Sequence, residues 1–400
     1  MFFRQCVQIL AEMEGGEALR RSIPKIKWRW ALFPIGYYGA NAVYQGYISL
    51  YYTQLGFRSD RLGCISAATA LAAIAAQPLW GTLGDRTKKR TRLLSLLCVA
   101  AALSLLPALL GKGLGLQILT AALFYAFFCA LLPLGDAILL EGLGDDGGFG
   151  PYRLAGGLSF AAAGAIYGAL SLPAGGAVWC TSILLAATAL AAYLLPDSPG
   201  QQRARVPFAR LLRNRELLIL ILFLLPVQST MGYFYTFYAP HFKALPGGTD
   251  ALLGLSYLIS AASEVPYLLL CDRIYRRFGA AKPMCVAAGV MALRWLLLGL
   301  CRSAPAALLT QLLHGGGFIV LSVSMAKYIA DRVAPELRTS GQMLLNMVSF
   351  GAARVIGNLG GGLLAEGIGR GAAFLVGAGV CVAALIAFLL WQLRERASAT

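Results

Sequence analysis

The stretch Gly81-Thr82-Leu83-Gly84-Asp85-Arg86-Thr87-Lys88-Lys89-Arg90 lies between two long apolar runs, and it contains one acid followed by a cluster of bases. The second half of the chain repeats this pattern in Cys271-Asp272-Arg273-Ile274-Tyr275-Arg276-Arg277-Phe278-Gly279. An Asp-Arg step at the end of an apolar helix, followed by a short basic loop, is typical of a cytoplasmic turn between membrane helices. Two such turns at corresponding places predict two similar halves.

The composition is that of a membrane protein. Of the 400 residues, 58% are hydrophobic and only 13% are charged, and the mean hydropathy is +0.69. A soluble domain has about 45–50% apolar and about 25% charged residues. Apolar runs of about 20 residues, long enough to cross a bilayer as a helix, recur along nearly the whole chain. These runs lack the alternation of barrel strands, so we expect an all-α membrane protein.

The apolar runs predict twelve transmembrane helices in two six-helix bundles. The expected helices cover residues 30–55, 60–84, 92–111, 115–140, 150–172, 175–196, 216–243, 250–271, 281–301, 305–330, 340–364 and 371–393. The longest polar interruption within the membrane region, residues 197–215, contains five arginines and separates six helices from six. We therefore expect a cytoplasmic segment 1–28, a bundle 29–196, a cytoplasmic linker 197–215, a bundle 216–393 and a cytoplasmic tail 394–400.

The net charge of +16 is unevenly distributed. Most lysines and arginines fall at the two ends and in the predicted loops on one side. The predicted outer loops contain only Arg58, Arg61, Lys112, Lys243, Arg302 and Arg370. This asymmetry predicts a multi-pass protein of the cell membrane with both termini in the cytoplasm. It also argues against nucleic acid as the partner of the basic charge and favours the lipid bilayer.

The first basic stretch resembles the signature of the major facilitator superfamily, Gly-x-x-x-Asp-Arg-x-Gly-Arg/Lys-Arg/Lys. The matching residues are Gly81, Asp85, Arg86, Lys89 and Arg90. Lys88 stands where the second Gly of the signature is usual, so the turn is expected to differ slightly. The resemblance covers the whole chain and implies two six-helix bundles around a central cavity. It also implies that Gly81, Asp85 and Arg86, with Asp272 and Arg273 in the second half, form gating loops.

A narrower resemblance is to the proton-symporter branch of the lactose permease and the phenylpropionate permease-like transporters. The stretches that resemble it are 37–57, 133–136 with 149–156, 312–315 and 342–362. In the lactose permease, an acid and an arginine at places similar to Asp136 and Arg153 bind the sugar. That permease also has a Glu three residues after the histidine that corresponds to His314, whereas this chain has Gly317. Glu264 or Asp136 would therefore have to carry the proton, or coupling to protons is lost.

Polar side chains within the apolar runs are the candidates for solute binding, because a charge or strong dipole at membrane depth usually faces a cavity or a partner. The candidates are Asp136, Arg153, Asn41, Gln45, Gln228 and His314. Asp136 could accept hydrogen bonds from solute hydroxyls while Arg153 keeps it ionised, or the two could form an ion pair that never meets a solute. The amides could line a cavity for a polar solute, or they could bond from helix to helix.

The candidates for proton coupling are Glu264, Arg294, His314 and Asp136. Glu264 lies mid-span in the eighth helix, where a carboxylate could load and release a proton, or else pair permanently with Arg294 of the ninth. His314 is expected to bind solute or take part in proton transfer, although a lone histidine on an apolar helix is often a core residue. Arg354 of the eleventh helix is a further buried cation that could neutralise an anionic solute or pair with Glu264.

These features predict a secondary transporter that binds a small-molecule solute and protons and works by alternating access. We expect proton-coupled symport of a small polar or aromatic solute such as a sugar, a nucleoside or an aromatic acid. Proton-driven efflux of amphipathic compounds is one alternative, and a non-transporting membrane receptor on the same fold is another. We expect no enzyme activity, no cofactor and no metal site, and we expect the chain to act as a monomer.

Overall fold

The structure is a computed structural model, and it describes residues 27–143, 149–173, 175–196, 211 and 213–399. Within these ranges the secondary structure is helical and no strand occurs, which confirms the all-α prediction. Nearly all of the expected segment 1–28 and most of the expected linker 197–215 lie outside the described residues. The side chains of 395–400, within the expected tail, lie outside them as well.

The described helices form twelve columns, numbered α1 to α12 in chain order. They are Trp28–Gln54, Ser59–Arg86, Arg90–Leu110, Leu114–Leu143, Gly150–Leu170, Gly176–Tyr193, Arg215–Ala244, Asp250–Phe278, Ala281–Leu300, Ala304–Arg332, 335–368 and Arg370–Ala399. Ten of the twelve are long and apolar enough to cross a membrane by length and composition. The other two are α1, which is rich in tyrosine and amide side chains, and α5, which is rich in glycine.

Three columns change helix type along their length. Column α3 ends in a 3₁₀ segment, Leu106–Leu110. Column α10 contains a 3₁₀ turn, Thr310–Leu313, directly before His314. Column α11 contains a π-helical segment, Val348–Ala352, directly before its last helical segment, Ala353–Ile368. Non-α turns inside membrane helices often occur at functional sites, which directs attention to the residues beside them.

The second basic stretch is helical rather than a loop. Column α8 continues past Asp272 and Arg273 and ends only at Phe278, where Gly279 has a φ of +69°. A left-handed conformation of this kind favours glycine, which explains why the helix stops there and not at the aspartate. Column α2 likewise continues to Arg86, so the connection to α3 is only residues 87–89. The expected boundaries at 84 and 271 are therefore too early.

Helices α1–α6 form the N half and α7–α12 form the C half. Within each half the columns reverse direction at successive short connections, and the start of α2 meets the end of α11 where the backbone N–H of Ser59 donates to Glu366, so the two halves have the same orientation. Lys27 and Ala399 therefore lie on the same side, called here the terminal face. The connections after α1, α3, α5, α7, α9 and α11 lie on the opposite side, the far face. The halves meet through α2 with α11, α5 with α8, and α1 with α7.

The halves pack closely at the far face. A Cβ on Gly63 of α2 would collide with the backbone of Asn358 on α11, so only glycine allows these two helices to approach so closely. The Arg58 guanidinium lies 2.6 Å from a carboxylate oxygen of Glu366, and the backbone N–H of Ser59 donates to the same carboxylate at 3.0 Å. Also toward the far face, Tyr257 of α8 donates to the carbonyl of Gly46 of α1 at 3.0 Å. This conformation is therefore closed at the far face.

Candidate functional site

A cleft lies between the two halves and encloses about 590 Å³, including space open to solvent. Residues of α1, α2 and α4 line one side, and residues of α7 and α11 line the other. The lining is aromatic and polar. Its aromatic members are Tyr44, Tyr52, Tyr125, Tyr235 and Phe350, and its principal polar members are Gln45, Ser49, Thr236, Asn358 and Arg354. Aromatic walls with a few polar groups are the usual lining of a small-molecule site.

Of the two amide side chains that the sequence singles out on α1, Asn41 and Gln45, only Gln45 lines this cleft. Gln45 lines the cleft, as do Ser49 and Tyr52. The side-chain oxygens of Ser49 and Tyr52 are buried and have no protein partner among the described residues. The same is true of the amide oxygen of Asn41, one turn from Gln45. Buried oxygens of this kind are normally hydrogen-bonded, so they are available to a polar solute or to water.

The amide of α7 does not contribute to the cleft. Gln228 is buried but is not among the residues that line it. The α7 residues that line the cleft are Gly232, Tyr235 and Thr236. The Thr236 hydroxyl donates to the amide oxygen of Asn358 at 2.9 Å, which ties α7 to α11 at the wall of the cleft. Thr236 and Asn358 were not identified from the sequence, because nothing in their apolar surroundings marks their orientation.

The N half contains a loose ion pair. Arg153 Nη1 of α5 lies 3.7 Å from Asp136 Oδ2 of α4, and the guanidinium also lies 4.9 Å from the centre of the Tyr38 ring. About half of the Arg153 side-chain area and about a third of that of Asp136 remain exposed. The predicted Asp136–Arg153 proximity is therefore present.

The C half contains a tight, buried network. Arg294 of α9 is 1% exposed, and its Nη1 lies 2.8 Å from His314 Nδ1. Its Nη2 donates to Gln311 Oε1 at 2.5 Å. On the other side of the imidazole, His314 Nε2 lies 3.3 Å from Glu264 Oε1. The structure therefore connects Glu264 to Arg294 through His314. Gln311 was not identified from the sequence.

The network determines the tautomer of His314. A guanidinium can only donate hydrogen bonds, so Nδ1 must accept from Arg294. A neutral imidazole then carries its proton on Nε2, which points at the Glu264 carboxylate. Of the three charged or titratable groups, only Glu264 keeps a substantial exposed area, with 27% of its side chain accessible. A proton that arrives from solution therefore reaches Glu264 more readily than it reaches His314.

The three glycines that follow His314 bring α10 against its neighbours. The N–H of Gly315 donates to Ser263 Oγ at 2.9 Å, and a Cβ at this position would collide with the carbonyl oxygen of Ser263. A Cβ on Gly316 would lie 2.9 Å from the Tyr267 hydroxyl, and one on Gly317 would lie 2.6 Å from Met291. Close packing of α10 on α8 and α9 therefore positions His314 between Glu264 and Arg294.

Arg354 of α11 is the second residue after the π-helical segment and lines the cleft. Its guanidinium lies 4.8 Å from the centre of the Tyr235 ring and 5.9 Å from that of Phe350. Gly232 of α7 allows this approach, because a Cβ there would lie 3.0 Å from the Arg354 Cα. The sequence identified Arg354 as a buried cation, but the π-turn and the contact with Tyr235 were not predictable from it.

The predicted gating residues lie on helix ends at the terminal face. Gly81, Asp85 and Arg86 occupy the last turns of α2, and Arg273 is exposed in the last two turns of α8. The backbone of Asp272 is helical, and its side chain lies outside the described set. Arg90, the last residue of the signature, is buried, and its Nη1 lies 2.6 Å from Glu141 Oε2. This ion pair ties the start of α3 to the end of α4.

Twelve helices arranged in two halves around a central cleft define the class as the major facilitator superfamily of transporters. The chain belongs to the MFS_1 like family, whose model matches residues 27–376. It is 32% identical to the maltose permease of Geobacillus stearothermophilus over 346 residues, which cover 84% of this chain and 86% of that protein. It is 25% identical over 365 residues to the probable 3-phenylpropionic acid transporter of Escherichia coli strain K12, covering 86% and 92%.

Solved structures agree with this assignment. The nucleoside transporter NupG superposes with a TM-score of 0.80 at 18% identity, covering 92% of this chain and 98% of that one. The POT family transporter PepTSo superposes with a TM-score of 0.74 at 10% identity, covering 93% and 99%. At these identities the likeness concerns the fold alone. The predicted membership of the superfamily, with its all-α fold, is confirmed.

Proposed function

We propose that this chain is a proton-coupled symporter that takes up a small polar or aromatic solute by alternating access. The solute binds in the cleft between the halves, and the proton binds in the C half. The terminal face is the cytoplasmic side of the cell membrane, which the positive-inside bias supports. A conformation closed at the far face then corresponds to the inward-facing state, and one chain contains all the required parts.

The observation on which the proposal rests is the order Glu264–His314–Arg294. Glu264 is the accessible group of this network, so it is proposed to take up and release the proton. His314 Nε2 donates a hydrogen bond to the ionised Glu264 carboxylate and stabilises its negative charge. Arg294 donates to His314 Nδ1 and thereby holds the imidazole with Nε2 directed at Glu264. Neutralising Glu264 removes the charged acceptor of that hydrogen bond. Because α8, which contains Glu264, packs against α5 of the N half, proton binding is proposed to be linked to the contact between the halves.

The lining of the cleft and the names of the relatives support a small polar or aromatic solute. Tyrosine rings and amide groups suit a sugar, a nucleoside or an aromatic acid. The similar proteins are named for maltose and for 3-phenylpropionic acid. Gln45 of α1 lines the cleft and is proposed to contact the solute directly. Asp136 and Arg153 of the N half, which are not among the lining residues in this conformation, are proposed to contact the solute as well. Asn41 is proposed to act beside Gln45 through its unpartnered oxygen.

The test is flux through the purified protein in liposomes. Maltose, uridine and 3-phenylpropionate are offered with the outside made acidic, and accumulation of at least one of them is expected. The isosteric substitution Glu264→Gln should abolish the response to the pH gradient and leave solute exchange without a gradient intact. The matched control is Asp250→Asn, an isosteric change on the same helix at the far face, where Asp250 pairs with Lys243 at 2.9 Å.

The alternatives make different predictions in the same assay. Solute that leaves as protons enter would indicate efflux. The absence of flux for every solute, with binding retained, would indicate a receptor. Full proton-driven accumulation by Glu264→Gln would show that the proton site is elsewhere.

A further inference from the structure

The central charges of the protein do not balance. They comprise the guanidinium groups of Arg153, Arg294 and Arg354 and the carboxylates of Asp136 and Glu264. Asp136 lies beside Arg153 at 3.7 Å, and Glu264 is connected to Arg294 through neutral His314. Among the described residues, Arg354 has no carboxylate within 4.0 Å, and the residues that line its cleft include no acid. One positive charge at membrane depth therefore remains without a counter-charge.

Arg354 is held toward the cleft by its surroundings. Its guanidinium lies near the rings of Tyr235 and Phe350, and the ring electrons offset part of its charge. Such contacts are weaker than a charge-assisted hydrogen bond, and they use the face of the guanidinium and leave its N–H groups free. By helix geometry, Arg354 and Glu264 each lie about 21 Å from the far-face end of their helices, so Arg354 is at mid-membrane depth.

The same cleft contains two hydroxyl groups that have no hydrogen-bond partner among the described residues. Ser49 is 3% exposed and Tyr52 is 2% exposed, and their hydroxyl oxygens have no protein partner among the described residues. Both hydroxyls can donate to a carboxylate. The remaining walls are aromatic, with Tyr44, Tyr125 and Tyr235 on them. A fixed cation, two hydroxyl donors and flat apolar walls complement an organic anion with a flat body.

We propose that Arg354 is the anion-binding residue of the cleft and that the transported solute is a small organic monoanion, with its carboxylate on Arg354 and its flat body between the tyrosines. This inference rests on the proposed function, because it names the solute class of the same cleft. The five central groups carry a net charge of +1 when Glu264 is ionised, and a monoanion on Arg354 together with a proton on Glu264 enters as a neutral pair that leaves this net charge unchanged. A neutral sugar or nucleoside would leave the guanidinium uncompensated.

The experiment measures equilibrium binding to the purified full chain at pH 7 with matched acid and neutral ligands. The pairs are phenylacetate with phenylacetamide, and glucuronate with glucose. In at least one pair the acid should bind about tenfold to a hundredfold more tightly than its neutral partner, as expected for a charge-assisted hydrogen bond. Arg354→Gln should reduce the affinity for that acid to that of its neutral partner and leave the neutral ligand unchanged. Arg354→Lys should retain part of the preference.

Arg302→Gln is the matched control, because Arg302 is an exposed arginine in the connection after α9. It should bind both ligands as the unaltered chain does. The comparison of acid with neutral ligand in the unaltered chain needs no variant, so it decides the question even if Arg354→Gln fails to fold. Equal binding of acid and neutral ligand in both pairs, no binding of either acid, or a retained preference in Arg354→Gln would each overturn the assignment.

The liposome assay separates this inference from the proposed function. Proton-driven uptake of a neutral solute that is unaffected by Arg354→Gln would support the proposed symport and contradict the assignment of Arg354 as an anion site. Acid binding that depends on Arg354, without flux in response to any gradient, would support the anion site and contradict the proposed symport.

Discussion

In the N half, Asp136 and Arg153 lie 3.7 Å apart with much of their surface exposed, whereas in the C half Arg294 is 1% exposed and bonds at 2.8 Å and 2.5 Å. A charge buried at membrane depth must be satisfied by fixed partners, and the C-half network provides them. A half-exposed pair keeps bonding capacity for a ligand. The difference between these two central clusters is consistent with the proposal that the C half uses its charges structurally around Glu264, the proposed proton site, and that Asp136 and Arg153 of the N half contact the solute.

The largest expected effect is on the stability of the C half. Replacing Arg294 with methionine leaves Gln311 Oε1 and His314 Nδ1 buried without their donor. Breaking a buried charged network by removing one partner costs about 3–5 kcal/mol, so thermal unfolding of the purified protein should shift strongly downward. Arg294→Lys should recover only part of the loss, since an ammonium does not reproduce the two-pronged geometry. A loss below about 1 kcal/mol would show that the network is not a structural unit.

A smaller effect is expected from the glycines that adjoin the two clusters. Gly315 faces the carbonyl oxygen of Ser263, and Gly135, beside Asp136, faces the ring of Phe33. Overpacking costs about 1–3 kcal/mol, and backbone yields less than a side-chain ring. Gly315→Ala should therefore lower the unfolding temperature more than Gly135→Ala does. Gly360→Ala has open space at its Cβ and should be neutral or stabilising, because alanine favours a helix. The reverse order would mean that the N half is the more rigid region.

The outline of the fold was predictable because lipid imposes simple rules on a chain. Long apolar runs must become helices, and Arg and Lys must gather on one side. The cost of burying a charge also singled out Glu264, Arg294 and His314 before any contact was known. Helix ends were less predictable, as at Phe278, because a membrane helix continues into water until a residue such as Gly279 stops it.

The arrangement within the site was not predictable, because it depends on how each helix is rotated. Gln228 and Gln45 look alike in the sequence, yet only Gln45 lines the cleft. The position of His314 between Glu264 and Arg294 follows from close packing at Gly315. The orientation of Arg354 toward the cleft follows a π-helical segment that no local sequence pattern predicts.

The smallest effect on stability is expected in the N half, where binding should change instead. Arg153→Gln removes a half-exposed pair, and such pairs contribute about 0–1 kcal/mol, so the free energy of unfolding should change by no more than that. If Arg153 contacts the solute, loss of one charge-assisted hydrogen bond should weaken binding by about tenfold. The affinity of Arg153→Lys, which keeps the charge, should fall between that of the unaltered chain and that of Arg153→Gln. Unchanged affinity together with a loss of stability comparable to that of Arg294→Met would erase the distinction between the halves, because Arg153 would then act as a structural charge in the same way as Arg294.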